Sequence, residues 1–322
     1  MKKIITDSAA NLNVTALNGI EHQSVGLTLI CGEKVFLDGA NFDQAEFDKF
    51  IENSSTEIKS SCPSVESYLA AIGDADEVYI FTISSALSGS YNTAQTAKKM
   101  ILEEDPNRKI HVFDTKAAGP AERMAAVKAS GLLNERGDFS EVVTQVQAYI
   151  DHLKIFFNLQ SLTNLANNGR INKTVAKLAG VLKINVLGWA NEEGKIEQLG
   201  KARGAKRAYQ SLVDTLVKHN FNSKKVVIDH ANNEKGALAL KGLIQAKYPD
   251  CQIEIGICTA LCSFYAEKGG LMTIWRKSPY FSEGMDSLSL GLVESYFLYA
   301  LYFWSLTYLS TTSLLMLPRE PR

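Results

Sequence analysis

The sequence predicts an α/β fold, a mainly parallel sheet with flanking helices, followed by a smaller α+β domain. Three observations predict it. Strand-like and helix-like runs alternate through the first half of the 322 residues, as they do when helices cover a parallel sheet. Polar turns follow three of those strand-like runs. Near residue 153 the alternation gives way to short strands and a hairpin signal.

In the first half, strands are expected at Lys3–Thr6, Ser24–Cys31, Val78–Ile83 and Lys109–Asp114. Helices are expected at Asp43–Asn53, Val65–Ala71, Tyr91–Glu104, Glu122–Arg136 and Phe139–Leu153. In such sheets ligands bind outside the carboxyl ends of the strands. The turns at Asp7-Ser8, Ser84–Ser90 and Asp114–Gly119 would all lie there. Farther on come a strand Lys154–Leu159, a short helix Leu162–Asn168 and a hairpin of Lys183–Leu187 with Lys195–Ala202 around Glu192-Glu193-Gly194. A helix Lys206–His219, a strand Lys225–His230, a helix Asn233–Tyr248 and a strand Gln252–Cys258 follow. Residues 1–155 thus read as an α/β domain carrying the serine-rich loops, 156–280 as an α+β domain, and 281–322 as an atypical hydrophobic extension.

Composition narrows the function. A formal net charge of −1 with no dense Lys/Arg block argues against a nucleic-acid partner, which needs a concentrated basic footprint. The five cysteines include no CxxC pair and the histidines are scattered, so the thiols read as reduced, in a cytoplasmic protein without a metal site. The start, MKKIITDSAANL, has no long apolar run and does not read as a signal peptide. Residues 295–317 carry no charge and are rich in Tyr, Phe and Trp, long enough to cross a bilayer. Ser, Thr and Tyr make up almost half of that stretch, so three readings stay open: a membrane tail, a docked amphipathic helix, or an extension foreign to the parent fold.

Four segments carry candidate chemistry. The turn Ser84-Ser85-Ala86-Leu87-Ser88-Gly89-Ser90 links a strand to a helix and aims hydroxyls and amides at one spot, an arrangement that receives an anion. It is neither G-x-S-x-G nor a P-loop, and Ser88 or Ser90 equally suits a simple helix cap. In Lys59-Ser60-Ser61-Cys62-Pro63-Ser64, Pro63 biases Cys62 to extended geometry and holds Ser60 and Ser61 on a stiff loop; neutral hydroxyls suit a carboxylate. Arg170, after Asn168-Gly169, and Arg203 have no acidic neighbour in sequence and together suit a cationic rim, or merely a solvated surface. Tyr265, ahead of Gly269-Gly270, supplies a phenol or fills a core turn.

Taken in order, these segments resemble the DegV family of bacterial fatty-acid-binding proteins, the FakB-type subunits of fatty acid kinase. Ile5-Thr6-Asp7-Ser8-Ala9-Ala10-Asn11-Leu12 resembles the opening (V/I)-T-D-S-(T/A)-A-D-L. Ser60-Ser61-Cys62-Pro63-Ser64 stands for T-S-Q-P-S, and Ile83 to Tyr91 is similar to I-S-S-x-L-S-G-T-Y. Asp114-Thr115-Lys116 and Asn168-Gly169-Arg170-Ile171 are similar to D-S/T-K and G-G-R-I. The similarity spans roughly residues 1–278.

The resemblance implies a tunnel between two domains that holds a long-chain fatty acid, with no further cofactor, no metal and no catalytic residue in this chain. Ser60 and Ser88 would hold the carboxylate, with Ser85, Ser61 and Tyr265 as secondary candidates. Tyr265 stands where the family has a histidine, Cys62 where it has Gln, and Asn168 where it has Gly. The implied partner is a kinase subunit of the FakA type that phosphorylates the presented carboxylate, with Arg170 and Arg203 suited to partner docking or acyl-phosphate contact. Membrane contact would come through transient lipid exchange or through the tail. The alternatives are a serine-turn hydrolase or phosphotransferase and a membrane-tethered lipid-binding module.

Overall fold

The computed structural model describes residues 1–278 except 13, 40, 54–55 and 173–183. Within it, Met1–Ser278 pack as one compact unit. Residues 279–322, and with them the expected extension and its apolar stretch, lie outside the described residues. Among the described residues no helix is long and apolar enough to cross a membrane.

The first sheet contains β1 (Lys2–Asp7), β2 (Glu21–Val25), β6 (Glu77–Thr82) and β7 (Lys109–Asp114) in the order β2-β1-β6-β7, all parallel. Its central strands β1 and β6 are buried over nearly their whole length because both faces are covered, whereas the edge strand β2 is polar and mostly exposed. On one face Ile4, Tyr79, Phe81 and Phe113 pack against α4 (Pro120–Asn134) and α5 (Phe139–Asp151). On the other, Ile5, Val78, Ile80 and Val112 meet α2 (Val65–Ile72) and α3 (Ser90–Glu104). The strand order reverses between β1 and β6, so the crevice of this sheet lies where Asp7 and Ile83 emerge side by side.

The expected single strand Ser24–Cys31 is two strands in two sheets. β2 ends at Val25, and β3 (Thr28–Cys31) joins β4 (Lys34–Leu37) and β5 (Ile58–Ser61) in an antiparallel sheet of order β4-β3-β5. The break falls at Gly26, where a Cβ would sit 2.4 Å from the Asp38 carbonyl oxygen. Helix α1 (Gln44–Asn53) lies between β4 and β5 in the chain, and Phe47 packs edge-on against Phe36 and Phe42. Ser60 and Ser61 belong to β5, opposite Leu29 and Thr28. They sit on a sheet edge, not on the stiff loop expected from Pro63.

The second sheet has β8 (Leu153–Leu159), β9 (Ile184–Ala190), β10 (Ile196–Arg203), β11 (Phe221–His230), β12 (Gln252–Ile257) and β13 (Leu271–Lys277) in the order β10-β9-β8-β13-β11-β12. β9 and β10 form the expected hairpin, and only the β11–β12 pair is parallel. One face packs under α7 (Ala205–Lys218) and α8 (Glu234–Lys247), where the Phe156 and Trp275 rings stack at 4.3 Å. The other face, with Ile155, Phe157, Val227 and Ile274, closes over the small sheet, α4 and α9 (Ala260–Ala266). Arg123 of α4 ties the two sheets together through a bidentate ion pair with the fully buried Asp229, at 2.8 and 3.0 Å. Among the described residues the five cysteines form no disulfide.

Candidate functional site

Between the second sheet and the small sheet lies a cavity. Leu27, Ile83, Leu87, Ile155, Phe157, Leu159, Leu261 and Met272 make most of its wall apolar. Ser60, Ser88, Arg170 and Tyr265 also line it. Four of the seven residues singled out from sequence therefore meet at one cavity.

Each is held by its own local structure. Ser60 is the third residue of β5, and strand alternation turns it toward the cavity while Ser61 is exposed. The Ser60 hydroxyl and the Tyr265 hydroxyl are 2.6 Å apart. Each has a single proton, so one O–H joins the pair and the other remains free to donate into the cavity. The Ser60 backbone N–H donates to Asn168 Oδ1 at 3.2 Å, and Asn168 Nδ2 donates to the Ile58 carbonyl at 3.0 Å. Asn168 thus pins the strand edge that carries Ser60.

The turn before α3 is tied from several sides. Ile83 N–H donates to Asp7 Oδ2 at 2.9 Å, and Ser84 N–H to the Ala117 carbonyl at 2.8 Å. The Ser84 hydroxyl donates to the Gly194 carbonyl at 2.9 Å, which anchors the turn on the β9–β10 hairpin. Ser85 is exposed; both its N–H and its hydroxyl donate to Asp114. The Ser88 hydroxyl has a different setting. It accepts the N–H of Ser90, the first residue of α3, at 3.2 Å and stands 3.1 Å from the Ser90 hydroxyl while lining the cavity. Cys62 packs on Gly89, where a Cβ would lie 2.8 Å from Sγ, so this pair brings the two serine segments into contact.

Arg170 Nε donates to the Leu87 carbonyl at 3.2 Å, and its guanidinium lies 5.7 Å from the centre of the Tyr265 ring, within reach of a cation–π contact. Burial raises the Tyr265 phenol above its ordinary value, against the opposing effects of Ser60, Arg170 and Lys59. The group is a neutral donor at physiological pH. Arg203 ends β10 opposite Ile184, is exposed, and does not line the cavity. Neither Ser85 nor Ser61 lines it. The structure therefore assembles Ser60, Ser88, Tyr265 and Arg170 and leaves the other three outside.

Two contributors carried no local sequence signal. Asn168 and Cys62 were visible only as departures from a pattern, and the wall residues Ile155, Phe157 and Met272 come from strands whose apolar character equally suits an ordinary core. Among the described residues no cluster of three or more His, Cys, Asp or Glu is arranged to hold a metal.

Comparison with known proteins places this geometry. The profile described as an uncharacterised protein of the DegV family matches residues 1–276. A DegV domain-containing protein of Streptococcus pyogenes serotype M3 is 39% identical over 272 residues, 84% of this chain and 97% of that protein. Among solved structures, the Streptococcus pneumoniae fatty acid kinase (Fak) B3 protein loaded with linoleic acid superposes with a TM-score of 0.83 at 36% identity, covering 86% of this chain and 100% of that one. A DegV family protein from Eubacterium eligens loaded with heptadecanoic acid gives 0.82 at 32% identity, with 86% and 100% covered. The chain belongs to the DegV family.

Proposed function

We propose that this protein binds one long-chain fatty acid in the cavity, with its carboxylate held by Ser60 and Ser88 and supported by Tyr265 and Arg170, and presents that carboxylate to a kinase subunit. The observation that carries the reading is the single polar corner of an otherwise apolar cavity. Burying a sixteen-carbon chain at roughly 0.8 kcal/mol per methylene supplies on the order of 10 kcal/mol before immobilisation costs. The head group then needs only to keep its hydrogen bonds, and the hydroxyls of Ser60, Tyr265 and Ser88 with the nearby Arg170 guanidinium are suited to provide them. The fatty acids held by the two related structures support the same ligand class.

Hydrolysis by the serine turn is less well supported. A nucleophilic serine needs a base within hydrogen-bond reach, and among the described residues the side chain that Ser88 meets is another serine. Among the described residues no histidine lines the cavity. In the presentation step, a carboxylate oxygen attacks the γ-phosphorus of ATP held by the partner; the acyl O–P bond forms, the bond to ADP breaks, and ADP leaves. Arg170 sits where it would steady the charge of the acyl-phosphate, and exposed Arg203 is a candidate for partner contact.

Native mass spectrometry of the purified full chain tests the reading. The expected spectrum contains protein with one bound long-chain acid, and adding a fatty acid kinase subunit with ATP yields acyl-phosphate. A protein that stays empty when offered the acid, and that turns over esters or phosphates unaided, would overturn it.

A further inference from the structure

Beneath Ser88 lies a pair of carboxyl groups that the burial of an acyl chain does not require. Asp7, at the end of β1, and Glu122, in the first turn of α4, are both fully buried and face one another. Asp7 Oδ1 accepts the Ala9 N–H at 3.1 Å and Oδ2 the Ile83 N–H at 2.9 Å. Glu122 Oε1 accepts the Gly119 N–H at 3.2 Å, whereas Oε2 meets no donor. A buried carboxylate oxygen without a donor is strongly disfavoured, but the same oxygen when protonated becomes a donor, and Asp7 is its acceptor. Two carboxylates in contact cannot both ionise in a buried site. Glu122 therefore holds a proton and Asp7, with two amides upon it, is the anion of the pair.

A line of hydroxyls leads from Asp7 to the cavity. Ser90, fully buried, faces Asp7, and its Oγ is 3.1 Å from Ser88 Oγ. An anionic Asp7 draws the Ser90 proton, which leaves Ser90 Oγ to accept from Ser88 and Ser88 Oγ to accept from a group in the cavity. A carboxylate placed at Ser88 would lie two hydroxyls from the Asp7 charge in a water-poor interior. We infer that binding of the acid, on the reading proposed above, is coupled to uptake of one proton by the Asp7–Glu122 pair, relayed along Ser88 and Ser90, so that the ligand enters neutral and is ionised in place.

The transfer balances. The ligand O–H bond breaks as its proton passes to Ser88 Oγ, the Ser88 proton passes to Ser90, and the Ser90 proton passes to Asp7. The serines end as hydroxyls, the ligand as carboxylate and the pair as two neutral acids. The other titratable groups facing the pair are Tyr68 of α2, whose buried hydroxyl has no partner, Asp38 after β4, and Cys262 of α9. Asp38 is the competing proton acceptor, so it serves as the control.

Titration calorimetry of the delipidated full chain in buffers of different ionisation enthalpy, at about pH 8, where a free carboxyl is ionised, reads the proton count directly. The ligands are a long-chain fatty acid and the primary alcohol of the same chain length. Wild type is expected to take up about one proton per acid bound and none per alcohol. Asp7→Asn should abolish the uptake, while Glu122→Gln, whose amide donates to Asp7 as the acid does, and Asp38→Asn should retain it. No uptake by wild type, or uptake that survives Asp7→Asn, would overturn the coupling even though the acid binds. Failure of wild type to bind the acid at all would instead overturn the fatty-acid reading. Should Asp7→Asn fail to fold, absence of uptake in the wild-type comparison of acid with alcohol still overturns the coupling.

Discussion

At the end of β5, two adjacent serines are divided by strand alternation: Ser60 meets Tyr265 at the cavity and Ser61 faces solvent. In the turn before α3 the division is made by hydrogen bonding. Ser84 and Ser85 are committed to Gly194 and Asp114, and Ser88 is left at the cavity wall. A hydroxyl-rich segment is thus mostly scaffold, and in each segment the serine available to a ligand is the one that lines the cavity. The sheet edge reaches that outcome with an outside partner, Asn168; the turn reaches it with ties to three separate segments.

The comparison breaks most severely if both inward serines are removed. Hydrogen bonds to a charged group contribute about 1.5–3 kcal/mol each, so Ser60→Ala combined with Ser88→Ala should weaken fatty-acid binding by roughly 10²-fold or more, with each single change near tenfold. Equilibrium binding of a fluorescent long-chain acid measures this, and equal affinity in the double variant would remove the proposed grip.

A second test loosens the Ser60 platform and leaves the turn alone. Asp38 N–H donates to the Leu27 carbonyl and Asp38 Oδ2 accepts the Leu261 N–H at 3.3 Å, which holds the small sheet against α9. Burial, partly offset by Ser8 and Leu261 and reinforced by the charge of Asp7, pushes the Asp38 carboxyl up to about 7. The folded value exceeds the unfolded one, so the folded state binds the proton more tightly. Stability should fall as pH rises from about 4 to 7 and level off above, by on the order of 2–4 kcal/mol. Denaturant melts across that range should show the slope, and Asp38→Asn should flatten it and raise stability at alkaline pH. An unchanged slope in the variant would assign the effect to other groups.

Smaller effects sharpen the contrast. Tyr265→Phe removes one donor and leaves Ser60 with its own proton, so affinity should drop by about 1 kcal/mol, several-fold, with the fold intact. Ser85→Ala should cost about 1 kcal/mol in denaturant stability, because Asp114 loses a donor, while fatty-acid affinity changes less than twofold. Ser61→Ala should alter neither. A binding defect in either outward variant would show that the division of serines is drawn in the wrong place.

Much of this was legible in the chain. The parallel strands announced themselves because a sheet covered on both faces needs continuous apolar runs, and the Glu192-Glu193-Gly194 turn marked the β9–β10 hairpin. The split at Gly26 was hidden, because what breaks the strand is the Asp38 carbonyl, brought there by folding. Ser60 and Ser88 stood out as hydroxyls near strand ends, yet local sequence does not separate Ser88 from Ser85; the family resemblance ranks Ser88 first, and Asp114, 29 positions away in the chain, engages Ser85. Arg170 and Arg203 look alike locally and differ only because Leu87 and Tyr265 surround the first. Glu122 read as an ordinary acid in a helix's first turn, and its burial against Asp7 is a tertiary fact.

Carbon NMR of a long-chain acid labelled at the carboxyl carbon, bound in turn to wild type, Ser88→Ala, Ser60→Ala and Ser85→Ala, tests the head-group placement most directly. A single bound resonance that moves in the Ser88 and Ser60 variants and holds still in Ser85→Ala is the predicted result. A resonance that moves in none of them, or that stays at its solution position in wild type, would place the carboxylate away from the Ser60–Ser88 corner and contradict it.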